Sequence, residues 1–188
     1  MSEKRMIKQM STQFVKYENN PVMGSSELGT CFDVYVTREN GRYRMDFSWR
    51  PKRSLAVTFS DDGIHWEKYG TDPVFAADPK NIYEQNRVGG CQVIKTPDMG
   101  YVMFYIGYET IDKAQICVAH SPNGITDLEK SPFNPIITPT PDQWDADACY
   151  KPSILWNEEK QQWMLWYNGR KRYDEYIGYV YKDGRELF

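Results

Sequence analysis

The apolar residues of this chain fall into short aromatic runs separated by polar turns rich in Gly, Pro, Asn and Asp. No window keeps the period of a helix, and the runs have the length and composition of β-strands. They come in three sets of three, at residues 32–36, 42–49 and 54–59, at 90–94, 101–106 and 114–119, and at 152–155, 163–168 and 176–181. The pattern therefore predicts an all-β protein.

The three sets are copies of one repeating unit. The glycines after the third run of each set, Gly63, Gly124 and Gly184, are 61 and 60 residues apart. A Lys-x-x-x-Asx-Pro motif precedes each set and begins at residues 16, 68 and 130. Repeats of about four short strands with a Gly turn are typical of propeller blades. We expect a β-propeller of about three four-stranded antiparallel blades in a single domain, with the blades at 20–70, 71–131 and 132–188.

The phase of the repeats predicts how the blades are completed. Residues 64–68 are expected to form the outer strand of the first blade, whereas only four residues follow Gly184. The N-terminal segment 13–19 resembles an outer strand and is expected to complete the last or a neighbouring blade. Because propellers have typically four to eight blades, three blades would leave two apolar faces and a strand edge open. Either two copies form a six-blade ring as a head-to-tail homodimer, or the chain is a shortened member of a larger family.

The composition and charge of the chain exclude several classes of function. Aromatic residues make up 15% of the 188 positions, which suits pleated sheets. The net charge of −3 predicts no sequence-independent binding to nucleic acid, and no apolar stretch is long enough for a membrane span. The four cysteines are far apart in the sequence, which predicts buried thiols, and with only two histidines we expect no metal site and no cofactor. The start of the sequence does not resemble a signal peptide, so we expect a cytoplasmic location.

The motifs at residues 29–34 (Gly-Thr-Cys-Phe-Asp-Val), 44–50 and 60–66 resemble the five-bladed β-propeller glycosidase superfamily, among relatives of glycoside hydrolase families 32, 43 and 130. The resemblance implies a central funnel in which acidic residues from different blades converge on a glycosidic bond, one carboxyl as acid and the other as base or nucleophile. It implies a glycoside hydrolase-like enzyme that binds carbohydrate. The alternatives are a non-catalytic carbohydrate-binding propeller and a truncated, inactive relative.

Within this resemblance, Asp33 matches the first-blade aspartate, and Asp145 and Asp147 are the acidic candidates of the third blade. The second repeat has no acid at the matching position, and Glu84 lies upstream of it. The alternative for Asp33 is a strand-end carboxylate bonded to backbone N–H groups. The alternative for Asp145 and Asp147 is a solvated loop.

Cations and aromatic residues are expected beside these acids. Arg50, Arg87, Lys151 and Arg170 would suit an anionic sugar or inorganic phosphate, because arginine binds such groups bidentately; surface salt bridges are the alternative. The candidate platforms for sugar rings are Trp49, Tyr108 and Trp144, and the alternative for them is packing between blades. The loop at 60–63 has the residues of a tight turn rather than those of a calcium site.

Overall fold

The computed structural model describes residues 14–24, 28–67 and 73–187. Eleven strands form in these ranges, and the one helical segment is a short 3-10 turn at Arg50–Lys52. The strands are β1 Cys31–Glu39, β2 Arg42–Trp49, β3 Ser54–Ser60, β4 Phe75–Ala76, β5 Arg87–Thr96, β6 Gly100–Tyr108, β7 Ala114–Ser121, β8 Glu129–Lys130, β9 Ala148–Asn157, β10 Gln162–Lys171 and β11 Asp174–Asp183. All nine predicted runs lie within long strands, so the all-β class is confirmed.

The strands form three consecutive antiparallel units. The first unit is β1–β4, the second is β5–β8 and the third is β9–β11. The second and third units join through one parallel bridge between Ala114 and Ala148. This arrangement is consistent with part of a propeller. The number of blades and the blade boundaries stay predictions.

The first strand of each unit bends at an equivalent residue. Asp33, Gly90 and Lys151 have positive φ angles of 53°, 36° and 50°. The pairing of β1 with β2, of β5 with β6 and of β9 with β10 shifts register around these residues. Each of them therefore occupies a β-bulge, a device that re-aims side chains at strand ends. The repeat seen in the sequence extends to this backbone detail.

The predicted outer strand at 64–68 is wrong over its described part. The Asp62 carboxylate accepts the backbone N–H groups of Ile64 and His65, both at 2.8 Å, and so turns the chain away from β3. Glu67 keeps one backbone bond to Phe59, at 2.8 Å, and β4 pairs with the other end of β3. Residues 68–72, with the Lys68 and Asp72 of the repeated motif, lie outside the described residues.

The N-terminal segment forms no strand over residues 14–24. The side chain of Phe14 is fully exposed, and Val15 is nearly so. Residue 13 and those before it lie outside the described residues. The strand donation at 13–19 stays a prediction.

The core consists of two main layers that pack on opposite sides of the second unit. Leu55, Phe75 and Tyr105 belong to the layer between the first and second units. Phe104, Ile116 and Leu165 belong to the layer between the second and third units. The outer faces of the first and third units therefore lie at opposite ends of the row. Within the described ranges, no helix is long and apolar enough to cross a membrane.

Three of the four cysteines are buried, as expected, and Cys31 is partly buried. Burial raises the pKa of the Cys117 and Cys149 thiols to about 12. Since the thiolate is the nucleophile, we predict that these two thiols react with iodoacetamide at about pH 8 more than about 100-fold more slowly in the folded protein than in urea. Mass spectrometry of labelled peptides measures both rates.

The same thiols predict a pH dependence of stability. The pKa of both thiols is higher in the folded than in the unfolded protein. Their contribution to the free energy of unfolding is therefore complete below about pH 8 and decreases as the pH rises through 9 towards 12.

In the labelling experiment, Cys31 provides the internal control, because it is expected to be labelled first. Equal native labelling rates at Cys31 and Cys117 would contradict the buried placement.

Candidate functional site

The three bulge residues line one pocket, which we call the first-strand pocket because its walls come from β1, β5 and β9. It has a volume of about 290 Å3. The polar residues that line it are Asp33, Tyr35, Gln92, Lys151 and Ser153. The repeat thus brings a carboxylate from the first unit, Asp33, and a lysine from the third unit, Lys151, to a common pocket.

Asp33 is held in this pocket by Ser48 of β2. The Ser48 hydroxyl donates to Asp33 Oδ2 at 3.2 Å and accepts the Gly90 N–H at 2.8 Å. Ser48 therefore ties the bulge of β1 to the bulge of β5. Asp33 keeps further acceptor positions for a ligand, because a carboxylate can accept about four hydrogen bonds.

Gly90 occupies the equivalent place in the second unit. A Cβ added to Gly90 would lie 2.7 Å from Ile106 Cδ1 and 3.5 Å from Asp33 Oδ2. A side chain at this position would have to displace the end of the Ile106 side chain and would lie against the Asp33 carboxylate. The second unit supplies space beside Asp33 instead of a second carboxylate.

Tyr108 lies close to Asp33 and stacks with Arg87. The Arg87 guanidinium lies 4.1 Å from the centroid of the Tyr108 ring. A Cβ on Gly89 would approach both the Tyr108 ring, at 3.5 Å, and Asp33 Oδ2, at 4.0 Å. Burial raises the pKa of Tyr108, while the charges of Arg87 and Arg170 oppose that rise. Tyr108 is therefore a neutral phenol between an acid and two cations.

Tyr150 and Arg170 extend this cluster into the third unit. Tyr150 packs with Tyr108 against the small residues Ala114 and Ala148. Burial raises the pKa of Tyr150 to about 12, and the nearby Arg170 charge lowers it. The Nε atoms of Arg87 and Arg170 are buried and have no hydrogen-bond partner among the described residues. Buried donors usually have a hydrogen-bond partner. The two unpaired Nε atoms are therefore candidates for binding an acceptor group of a ligand.

Asp147 lies in a second opening, the Arg170 cleft, with a volume of about 650 Å3. The charged residues that line the cleft are Asp112, Lys113, Asp147, Arg170 and Arg172. Asp147 Oδ2 accepts the backbone N–H of Arg172, and its own N–H donates to the Arg170 carbonyl at 2.9 Å. The cleft and the first-strand pocket are distinct in their lining residues.

Glu84 and Asp145 have a shared structural role outside the first-strand pocket. Each stands six residues before the bulge residue of its unit. Tyr105 donates to Glu84 Oε2 at 3.0 Å, and Tyr167 donates to Asp145 Oδ2 at 3.1 Å. Glu84 has no exposed surface and forms an ion pair with Lys130. Asp145 is 3% exposed and also accepts the Thr140 N–H, at 3.3 Å. We leave both carboxylates out of the proposed site.

The candidate platforms are occupied by packing or by local bonds. Trp144 packs on Tyr167, with ring centroids 5.6 Å apart, and fills the space above Gly169 and Gly178. The Trp49 indole donates to the Leu28 carbonyl at 2.7 Å. The Arg50 guanidinium lies 4.8 Å from the centre of the Phe32 ring. Of the three platforms, only Tyr108 lies in the cluster beside Asp33.

A comparison with models of protein families shows to which family the chain belongs. The model of the glycosyl hydrolases family 32 N-terminal domain matches residues 34–185. The chain belongs to this family. The resemblance to propeller glycosidases is thereby confirmed. No curated protein matches the chain by sequence.

Solved structures show the fold of this family 32 domain. A family 117 glycoside hydrolase from the marine bacterium Zobellia galactanivorans is 16% identical, with a TM-score of 0.63, over 90% of this chain and 55% of the other. A glycosyl hydrolase from Bacteroides ovatus is 19% identical, with a TM-score of 0.61, over 82% of this chain and 53% of the other. A protein of the family 130 mannoside phosphorylases is 19% identical, with a TM-score of 0.54, over 73% and 43%. The domain spans about half the length of these structures.

Two residues of the family 32 domain's pocket region were missed by sequence reasoning. Ser48 stands inside an aromatic strand and Tyr150 stands just before Lys151, so neither has a motif of its own. The signal that could have found Ser48 is the pairing of the first two strands, which places it opposite Phe32, next to Asp33. Tyr150 could have been found from its position one residue before the bulge.

Proposed function

We propose that this family 32 domain acts on a glycosidic bond, with the Asp33 carboxylate as nucleophile or base in the first-strand pocket. The observation that carries the proposal is the Asp33 bulge, which presents an acid where the first strands of all three units meet. In glycoside hydrolysis, one carboxylate attacks the sugar or activates water, and a second carboxyl protonates the leaving oxygen. Family membership and the glycosidase folds found by comparison support this role.

Asp147 is the third-unit acid that we propose as partner of Asp33. It lines an open cleft beside Arg170, whereas both oxygens of Asp145 are bonded within the fold. The pairing of Asp33 with Asp147 is testable by titration. An essential acid and an essential base give a bell-shaped dependence of kcat/KM on pH, and Asp147→Asn is expected to remove the limb of the bell that belongs to the acid.

We propose further that the sugar is anionic. Lys151 shares the first-strand pocket with Asp33, and the buried Nε donors of Arg87 and Arg170, which adjoin Tyr108 and Tyr150, have no hydrogen-bond partner among the described residues. A uronic acid or phosphorylated sugar would satisfy these donors with charge-assisted bonds, which are about twice as strong as neutral ones. The carboxylate of the ligand would face the arginines, and Asp33 would face the ring carbon at which the bond breaks.

The anionic preference is tested by calorimetry with matched uronic and neutral oligosaccharides. We expect the uronic ligand to bind at least about 10-fold more tightly, and Lys151→Met to reduce this preference by about 10-fold, the effect of one charge-assisted hydrogen bond. Lys160→Met is the matched control, because Lys160 is exposed in the β9–β10 turn. Equal affinities for the two ligands would overturn the anionic assignment and leave the glycosidic role intact.

A further inference from the structure

The turn between β2 and β3 carries three cations and no acid; we call residues 50–53 the basic turn. Arg50, Lys52 and Arg53 are all exposed, and no acidic residue stands between Asp46 and Asp61 in the sequence. Within the described residues, none of the three cations forms an ion pair. The basic turn therefore has an excess of positive charge that the described part of the chain does not neutralise.

The equivalent turn of the second unit, between β6 and β7, is neutralised by ion pairs. It contains Glu109, Asp112 and Lys113. Lys113 Nζ lies 2.9 Å from Glu109 Oε2, and Arg170 Nη2 of the third unit lies 3.8 Å from Asp112 Oδ1. Because the repeat does not require an uncompensated turn at this position, the charge of the basic turn is a separate feature of the first unit.

Three backbone hydrogen bonds hold the basic turn in place. The Arg50 N–H donates to the Thr30 carbonyl and the Arg53 N–H donates to the Arg50 carbonyl, both at 3.0 Å. The Val88 N–H donates to the Arg53 carbonyl at 3.2 Å. The turn is thereby tied to the residue before β1 and to the start of β5. Since its backbone is already ordered, binding of an anion here costs less entropy than binding by a loose loop.

Two of the cations lie over aromatic rings. The Arg50 guanidinium is 4.8 Å from the centre of the Phe32 ring. The Lys52 ammonium is 5.9 Å from the centre of the Trp49 ring. Such contacts attract the cation to the ring face, and a stacked guanidinium keeps the N–H donors of its edge for a carboxylate or phosphate. Both cations are therefore oriented by the fold while their charged groups stay accessible to a ligand.

The basic turn borders the first-strand pocket. Phe32, the ring beneath Arg50, directly precedes Asp33, and the strand that bonds Arg53 continues to Gly90. Asp33 and Gly90 both line the pocket. A glycan with one ring in the pocket would therefore pass close to the basic turn with a neighbouring ring.

We propose that the basic turn binds a second anionic group of the ligand, so that the substrate is a polyanionic glycan with negative charge on successive sugar rings. One charged ring would lie in the first-strand pocket and another at the basic turn. Arginine and lysine bind both carboxylates and phosphate esters, so these are the two candidate groups. The inference rests on the proposed carbohydrate ligand and does not depend on the catalytic role of Asp33.

The test is calorimetry with the full chain and thio-linked oligouronides, whose sulfur linkages resist cleavage. At about 10 mM salt, where the screening length is about 30 Å, the hexasaccharide should bind at least about 10-fold more tightly than the disaccharide. The double variant Lys52→Gln with Arg53→Gln should weaken hexasaccharide binding by about 10-fold, as the loss of two exposed ion pairs would. Its affinity for the disaccharide should stay that of the wild type. At about 1 M salt, where the screening length is about 3 Å, the two proteins should no longer differ.

The double variant Lys160→Gln with Lys182→Gln is the matched control. It removes the same charge from exposed positions at the far end of the third unit, and both affinities should stay those of the wild type. Neither double variant should lower the thermal midpoint, because all four side chains are exposed. If the first double variant is unstable, Lys52→Gln alone should weaken hexasaccharide binding by about 3-fold. A hexasaccharide with one phosphate ester per ring is the second arm, and the tighter ligand identifies the anionic group.

Three outcomes overturn the inference. The first is a hexasaccharide that binds no more tightly than the disaccharide. The second is an equal loss of affinity in the control variant, which would assign the effect to the charge of the whole protein. The third is a single-stranded oligonucleotide of equal charge that binds as tightly, which would favour a nucleic-acid ligand. Uronides that bind no more tightly than neutral sugars at either length would instead contradict the proposed anionic ligand as a whole, so the two failures are distinguishable.

Discussion

Replacement of Asp33 by Asn is expected to reduce glycoside turnover by about 10³-fold or more, because the amide can neither attack a sugar nor take up a proton. The substitution keeps the size of the side chain, and the amide oxygen can still accept the Ser48 hydroxyl now bonded to Asp33 Oδ2. Folding should therefore survive. The measurement is kcat/KM on the oligosaccharide that the wild-type protein cleaves fastest in a panel of neutral and uronic substrates.

Asp98→Asn is the matched control for this experiment, since Asp98 is an exposed residue of the β5–β6 turn, away from the pocket. Its activity should remain within about 2-fold of wild type, as for an ordinary surface change. Retention of full activity by Asp33→Asn would remove Asp33 from the chemistry. Oligosaccharide binding that persists in a protein without measurable turnover would favour a carbohydrate-binding role instead.

The strands were predictable because their signal is local. Each run such as 101–106 is short, aromatic and bounded by turn residues, and its repetition removes the ambiguity of one apolar run. The outer strand of the first unit was not predictable, because it depends on which acceptor the N–H groups of Ile64 and His65 choose. The Asp62 side chain competes successfully for them. The pattern of apolar residues does not indicate the outcome of that competition.

Of the candidate site, the sequence predicted only those residues that stand at a fixed position in a recognisable motif. Asp33 could be located because the bulge follows a recognisable motif. The position of Asp145 was expected at the funnel, yet the carboxylate is bonded to Tyr167, 22 residues away in the sequence. A buried carboxylate and a catalytic one look alike until their partners are known. Register between strands decides those partners, and the sequence carries register only through the repeat.

Replacement of Lys130 by Met is the second large effect that we expect. It would leave Glu84, which has no exposed surface, as a buried acid without its cation. Breaking a buried pair by removing one partner reduces the free energy of unfolding by about 3–5 kcal/mol. Methionine keeps a side chain of similar length, whereas the Lys130 ammonium group, which lies 4.9 Å from the centre of the Phe75 ring, is removed. The loss therefore reports the charge in both of its contacts. Urea unfolding followed by tryptophan fluorescence measures it.

Two further variants separate the buried charge from other causes. Lys113→Met breaks the more exposed pair with Glu109, at 2.9 Å, and should change the free energy of unfolding by no more than about 1 kcal/mol. The double variant Lys130→Met with Glu84→Gln should recover part of the loss, because the amide carries no charge that needs a partner. Its single oxygen can still accept one of the two donors now bonded to Glu84, the Tyr105 hydroxyl or the Asp78 N–H. If the double variant were less stable than Lys130→Met alone, the loss of stability would come from lost hydrogen bonds and not from the unpaired charge of Glu84.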